Sequence, residues 1–247
     1  MIDYIILGIV QGITEFLPVS SSGHLAVLGK LFGLQEQGIA ISIVMHLGTL
    51  LAVIIFFFRD ILEAFSSRRM LAQILIVTLI TGVIGVAGKE FFESAFSSIK
   101  IVAAGWIASG VILLLTARFM HSIRKEVSVK DSVILGFAQA AAIFPGVSRS
   151  GITISTMLFR GVEKMKGFRF SFVASIPAIA GAALLEARDI NSAFSADGAK
   201  LAVGFFCSFA SGMFALWFLK RALAKARFHY FSYYCFAAAL IALIFVK

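Results

Sequence analysis

The sequence predicts an all-α integral membrane protein, with six transmembrane helices and two re-entrant helical hairpins in an inverted repeat. Three observations predict it. Of 247 residues, 60% are hydrophobic and only 14% charged, with a mean hydropathy of +0.98, whereas a soluble domain carries roughly a quarter of its residues charged. Six apolar runs have the length of a membrane span. Two further apolar runs are interrupted near the middle by the same short pattern.

The six runs cover 39–58, 70–88, 101–117, 170–187, 201–219 and 228–246. Each is close to the roughly 17 to 25 residues a helix needs to cross about 30 Å of hydrocarbon. The other two, 3–33 and 132–160, are broken around Pro18 and Pro145. Each half reaches only about the midplane at about 1.5 Å per residue, which predicts helices that enter, turn and return. The first run carries Asp3, Gln11 and Glu15, and lacks a basic start and a small-residue cleavage site, so it reads as part of the mature protein rather than a signal peptide. Cys207 and Cys235 lie in apolar runs without metal-ligand spacing and read as packing residues. Phe56, Phe57 and Phe58, and Tyr230, Tyr233 and Tyr234, read as lipid-facing or interfacial aromatics.

A shift of 128 positions lays Phe16, Val19, Ser20, Ser22 and Gly23 on Phe144, Val147, Ser148, Ser150 and Gly151, and Gly8 and Gln11 on Gly136 and Gln139. The chain therefore reads as one membrane domain of two repeats, 1–120 and 130–247, each a hairpin followed by three spans. Three crossings between the hairpins put their mouths on opposite faces, so that the two tips can meet near the midplane.

The net charge of +9 would raise nucleic acid as a partner for a soluble protein, but the distribution of the cations points elsewhere. Of the 22 Lys and Arg, 15 fall in the loops that hold Arg59–Arg69, Arg118–Lys130, Arg160–Arg169 and Lys220–Arg227; six fall in the opposite loops, and Arg149 lies between. The positive-inside rule makes the richer side cytoplasmic, with both termini and the mouth of the first hairpin outside.

Few ionisable residues remain at membrane depth, and each is by default a functional candidate because burying it is costly. Glu15 and His24 flank the first interruption, and Arg149 sits in the second. If the tips meet, these three converge with the hydroxyls of Ser20, Ser21, Ser22, Ser148, Ser150 and Thr153, which makes an anion site. Arg is suited to bidentate phosphate binding, and the helices that open after each interruption aim backbone N–H groups at the same place. A carboxylate in such a site asks for a bridging divalent cation, with Glu15 the ligand and Gln11 its helper. His24 could serve as base, acid or nucleophile. An Arg149–Glu15 pair that merely staples the hairpins is the structural alternative, and His46 reads as a packed, hydrogen-bonded histidine.

The run Gln11-Gly12-Ile13-Thr14-Glu15-Phe16-Leu17-Pro18-Val19-Ser20-Ser21-Ser22-Gly23-His24, followed by Pro145-Gly146-Val147-Ser148-Arg149-Ser150-Gly151-Ile152-Thr153, resembles the two signature motifs of the bacterial undecaprenyl-diphosphate phosphatase, or bacitracin-resistance, family. His46–Ala52 and the segments Phe170–Phe172 and Ile176–Ala178 also resemble family segments. The resemblance implies a multi-pass enzyme of the bacterial plasma membrane that hydrolyses undecaprenyl diphosphate on the outer side and so recycles the lipid carrier for peptidoglycan. It implies Glu15 and Gln11 for Mg²⁺ or Ca²⁺, Ser21 and His24 for the chemistry, Arg149 for the diphosphate, and Ser148, Ser150 and Thr153 for its hydrogen bonds. Gln11 stands where members carry Glu or Gln, which leaves one anionic ligand fewer. We favour Ser21 as nucleophile with His24 assisting. A flippase for undecaprenyl phosphate is the rival expectation from another class. Whether the chain works alone or as a homodimer stays open.

Overall fold

The structure, a computed structural model, describes residues 1–32, 38–186 and 190–245, with side chains placed outside 29–40 and 185–197. Among the described residues the regular structure is helical: α1 (Ile2–Phe16), α2 (Ser21–Phe32), α3 (Gly38–Phe56), α4 (Phe58–Ser66), α5 (Arg68–Ala87), α6 (Lys89–Phe96), α7 (Ile99–Leu115), α8 (Val129–Ala141), α9 (Arg149–Phe159), α10 (Lys164–Glu186), α11 (Ile190–Ala224) and α12 (Phe231–Phe245). The end of the first hairpin at 33, Arg188 and Lys247 lie outside the described residues.

Five helical stretches, Arg68–Ala87, Ile99–Phe119, Lys164–Leu184, Gly198–Ala224 and Phe228–Phe245, are long and apolar enough to cross a membrane. A sixth arises if Ile41–Phe56 and Phe58–Ser66, bent by 70° against each other, form one span. The expected straight run over 39–58 therefore breaks at Phe57. The cause is packing: Phe57 is buried and stacks on Phe172 at 5.4 Å, with Phe168 at 5.2 Å. The expectation that Phe57 faces lipid is thus corrected; Phe58, 56% exposed, does face outward. On α5, Leu75, Leu79, Val83 and Val86 are all exposed, the lipid-side stripe of a span.

Both interruptions are helix–break–helix turns with physical causes. Leu17 adopts φ −66° and ψ 147° before Pro18, the extended conformation that a following proline imposes, so α1 stops there. Ser20 Oγ then accepts from Gly23 N at 3.3 Å to cap α2, and Ser148 Oγ accepts from Gly151 N at 3.1 Å to cap α9. Gly146 has φ +83°, and a Cβ there would come 2.0 Å from the Val102 carbonyl oxygen, so only glycine fits where the second tip presses on α7.

Apolar burial does not drive helices together in lipid, so close approach at small residues has to. The Cβ missing from Gly12 would stand 2.4 Å from Ser208 O, which lets α1 lie directly on α11, while Ser208 Oγ donates to Met45 O at 2.9 Å and brings α3 to the same helix. Likewise α8 packs on α5, where Gln139 Nε2 donates to Thr81 Oγ1 at 3.2 Å. Helix α10 packs on α3 and α5, and α7 on α12.

Candidate active site

The two tips meet, and Glu15 is where they join. Glu15 is carried at the end of α1 and is 8% exposed. Its Oε1 receives the Arg149 guanidinium from the start of α9. Its Oε2 accepts from Ser21 Oγ at 2.7 Å and from Gln11 Nε2 at 3.1 Å, one turn back on α1. His46 Nε2 of α3 lies 3.6 Å from the same oxygen, while its Nδ1 lies 2.8 Å from the Ser42 carbonyl oxygen and must donate to it. Arg149 also packs over the Phe172 ring at 5.9 Å.

Four of the expected residues thus form one cluster: Gln11, Glu15, Ser21 and Arg149. His46, expected to be a packed histidine, joins them. Its signal was available in the sequence only as a polar residue about two turns into an apolar run, and nothing there distinguishes a hydrogen bond to Ser42 from a second contact with a carboxylate 31 positions away.

The other expected residues serve the tips themselves. Ser20 and Ser148 are the helix caps. Their hydroxyls also pair with Ser22 at 3.1 Å and Ser150 at 3.3 Å, so each tip repeats one hydrogen-bond pattern. Ser148 N donates to Ser109 Oγ at 2.9 Å. Thr153 spends its hydroxyl on the Arg149 carbonyl at 2.8 Å, within its own helix. His24 is not brought onto Ser21 or Glu15. Its Nδ1 lies 2.7 Å from the Ser20 carbonyl oxygen, its Nε2 lies 2.6 Å from the Tyr234 hydroxyl, and its ring stands edge-on to Trp106. The Trp106 indole donates to Val19 O at 2.7 Å, and Cys235 Sγ donates to Pro18 O at 3.3 Å. The packing role expected of Cys235 is therefore combined with fastening the first tip.

Within this cluster two buried atoms are left without a partner: Arg149 Nη1 and Gln11 Oε1. An unsatisfied buried donor on a charged group costs about 1–3 kcal/mol or more, which an incoming anion would relieve at Arg149. Gln11 Oε1 beside Glu15 is a hard oxygen acceptor of the kind Mg²⁺ or Ca²⁺ uses. Among the described residues no group of three or more His, Cys, Asp or Glu could hold a metal ion. The donor set therefore fits a cation that shares its shell with substrate oxygens, not an all-protein cage.

Comparison with known proteins covers nearly the whole chain. The family model of the bacitracin resistance protein BacA matches residues 4–241. The chain is 42% identical to an undecaprenyl-diphosphatase of Carboxydothermus hydrogenoformans, covering 97% of this chain and 95% of that protein. It is 36% identical to the undecaprenyl-diphosphatase of Syntrophotalea carbinolica over 94% and 93%, and 34% identical to undecaprenyl-diphosphatase 1 of Shouchella clausii over 99% and 96%. The chain, a multi-pass membrane protein by its helices, belongs to the bacitracin resistance protein BacA family.

Proposed function

We propose that the chain hydrolyses undecaprenyl diphosphate to undecaprenyl phosphate and inorganic phosphate, recycling the lipid carrier for wall polymers and so conferring bacitracin resistance. The observation that carries the chemistry is Arg149. One nitrogen is fixed on Glu15 and the other is buried without a partner, beside a serine hydroxyl that already donates to the same carboxylate.

The terminal phosphate docks on Arg149, which balances charge on the transferring group. Ser21 Oγ attacks the terminal phosphorus, and its proton passes to Glu15 Oε2. The bond from phosphorus to the bridging oxygen breaks, and polyprenyl phosphate leaves with the electron pair. Water then attacks the phosphoserine and gives a proton to His24 Nε2. The Ser21 oxygen leaves phosphorus and recovers its proton from Glu15, and phosphate departs. This route makes Glu15, rather than His24, the partner of Ser21. Glu15 and Gln11 would hold Mg²⁺ or Ca²⁺, which when bound adds positive charge beside the phosphate oxygens.

The architecture we propose is six spans and two re-entrant hairpins in an inverted repeat, 1–120 and 130–247, in the bacterial plasma membrane. The exchange of partners supports it: α1 on α11 answers α8 on α5, and α3 on α11 answers α10 on α5. Both termini and the site then open outward. The partners are the lipid substrate and the bilayer, and every side chain in the scheme comes from one copy.

The test is phosphate release from a polyprenyl diphosphate by purified protein in detergent, with and without chelator. Wild type should release phosphate, chelator should suppress it, and Glu15→Ala, Ser21→Ala and Arg149→Ala should abolish it while remaining folded. Tight binding without release would contradict the hydrolase and favour a carrier.

A further inference from the structure

Tyr234 lies 210 positions from His24, on α12, among tyrosines that the sequence assigns to the membrane interface. Its ring stacks on the imidazole at 5.6 Å with an interplanar angle of 20°, and its hydroxyl lies 2.6 Å from Nε2. We infer that Tyr234 is the proton relay to His24, its hydroxyl passing the proton of the attacking water to Nε2; the inference rests on the hydrolytic reading above.

The protonation pattern follows from the partners. His24 Nδ1 faces a backbone carbonyl at 2.7 Å, which can only accept, so Nδ1 keeps its hydrogen in both charge states. In the neutral ring Nε2 is then a lone pair, and the Tyr234 hydroxyl must donate to it. Nε2 has only this one lone pair, so the proton of the attacking water reaches it through the hydroxyl: the Tyr234 oxygen takes a proton from water as the Tyr234 proton passes to Nε2. The imidazolium N–H that results then donates to the same phenol oxygen. One hydroxyl therefore serves both states, and a phenyl ring in its place serves neither.

The surroundings show that this geometry is built. Ser20 has φ +66°, a left-handed conformation that costs a non-glycine residue about 1 to 2 kcal/mol, and its carbonyl is the one that receives Nδ1. Trp106 closes the other side of the imidazole at 5.2 Å and 79°. The neighbour of Tyr234, Cys235, is buried against Pro18 O, which ties the tyrosine's helix to the turn that carries His24. These contacts fix the ring from three helices, so the hydroxyl is the one part of the clamp that a Phe substitution removes alone.

The experiment compares steady-state phosphate release in wild type, Tyr234→Phe, His24→Ala and the double variant, alongside the ¹⁵N shifts of the His24 ring in wild type and Tyr234→Phe. The expected result is a kcat about tenfold lower in Tyr234→Phe with KM within twofold, a double variant no slower than His24→Ala alone, and a displaced Nε2 signal. A wild-type kcat in Tyr234→Phe, losses that multiply in the double variant, or unchanged ring shifts would each overturn the inference. His24→Ala with full activity would overturn it too, by removing His24 from the reaction, while losses in Ser21→Ala and Arg149→Ala would leave the hydrolase standing. The nitrogen shifts read the hydrogen bond even in a protein that releases no phosphate, which tells failure of this inference from failure of the hydrolytic reading.

Discussion

At the scale of single residues, Arg149 is asked to do two things that only a guanidinium does at once. In the proposed scheme it binds Glu15 with one nitrogen and offers another to phosphate. Lysine keeps the charge and loses the fork. Arg149→Lys should therefore lower kcat/KM for polyprenyl diphosphate about 100-fold with an unchanged melting temperature, measured by phosphate release and thermal unfolding in detergent. Ser21→Ala should lose about 1,000-fold or more; wild type should form a radiolabelled phosphoserine on brief exposure to terminally labelled substrate, and the variant should not. What the sequence made legible here was composition against depth: few ionisable residues remain once the loops are assigned, and Glu15 and Arg149 stand out for that reason. What it left hidden was direction. His24 and Ser21 are three positions apart on one helix, yet Ser21 turns to Glu15 and His24 turns to Tyr234. Spacing along a helix gives a shared face, not the choice of partner across a gap to another helix.

At the scale of elements, the two hairpins share a turn pattern but differ at their feet. Asp131, fully buried at the start of α8, accepts from Arg124 Nη1 at 2.8 Å, from Arg160 Nε at 2.9 Å and from Ser128 N at 2.8 Å. The residue 128 positions earlier, Asp3, is exposed. The second hairpin is thus latched at its foot, with Arg124 also bridging to Val162, and Asp3 forms no such latch among the described residues. Burial works to raise the Asp131 carboxyl, but the bonds from Arg124, Ser128 and Arg160 win and hold it well below the usual carboxylate range. A depressed folded pKa stabilises above the unfolded value of about 3.9 and loses that contribution as pH falls below it. Asp131→Asn should remove this part of the acid sensitivity of thermal unfolding. Since Arg124 and Arg160 are each more than a third exposed on their side chains, the cost at neutral pH should be about 2 kcal/mol, at the lower end for a buried pair. Asp3→Asn should shift unfolding by less than about 0.5 kcal/mol. Of the span boundaries, those near Pro and Gly were legible from the sequence. The break at Phe57 was not, because no Pro or Gly marks it and the cause lies in Phe168 and Phe172, more than a hundred residues away.

At the scale of the whole molecule, the seat of the second tip has a consequence for stability. The second tip is seated on α7 through Gly146, whose φ of +83° and contact with Val102 O exclude a side chain. Gly146→Ala should cost more than about 2 kcal/mol in thermal unfolding and should lower phosphate release, because Arg149 is carried three residues on. The match under a 128-residue shift was legible in the sequence, and the repeat proposed from it supplied the expectation that the tips approach each other. The pairing of α1 with α11 was not, since Gly12 and Ser208 carry no mark of each other in the sequence and meet only once both halves are folded.

The account stands on the contact between the two tips, and a cross-link tests it directly. A Cβ at Gly151 would lie 3.3 Å from Pro18 Cβ, near the roughly 3.5–4.5 Å of a disulfide. In a background with Cys207 and Cys235 replaced by Ala, Pro18→Cys with Gly151→Cys should cross-link under mild oxidation in native membranes, giving fragments that stay joined after cleavage of the loop around Lys125 until reductant is added. Fragments that separate without reductant, under oxidation that links a control pair within one hairpin, would contradict the shared site.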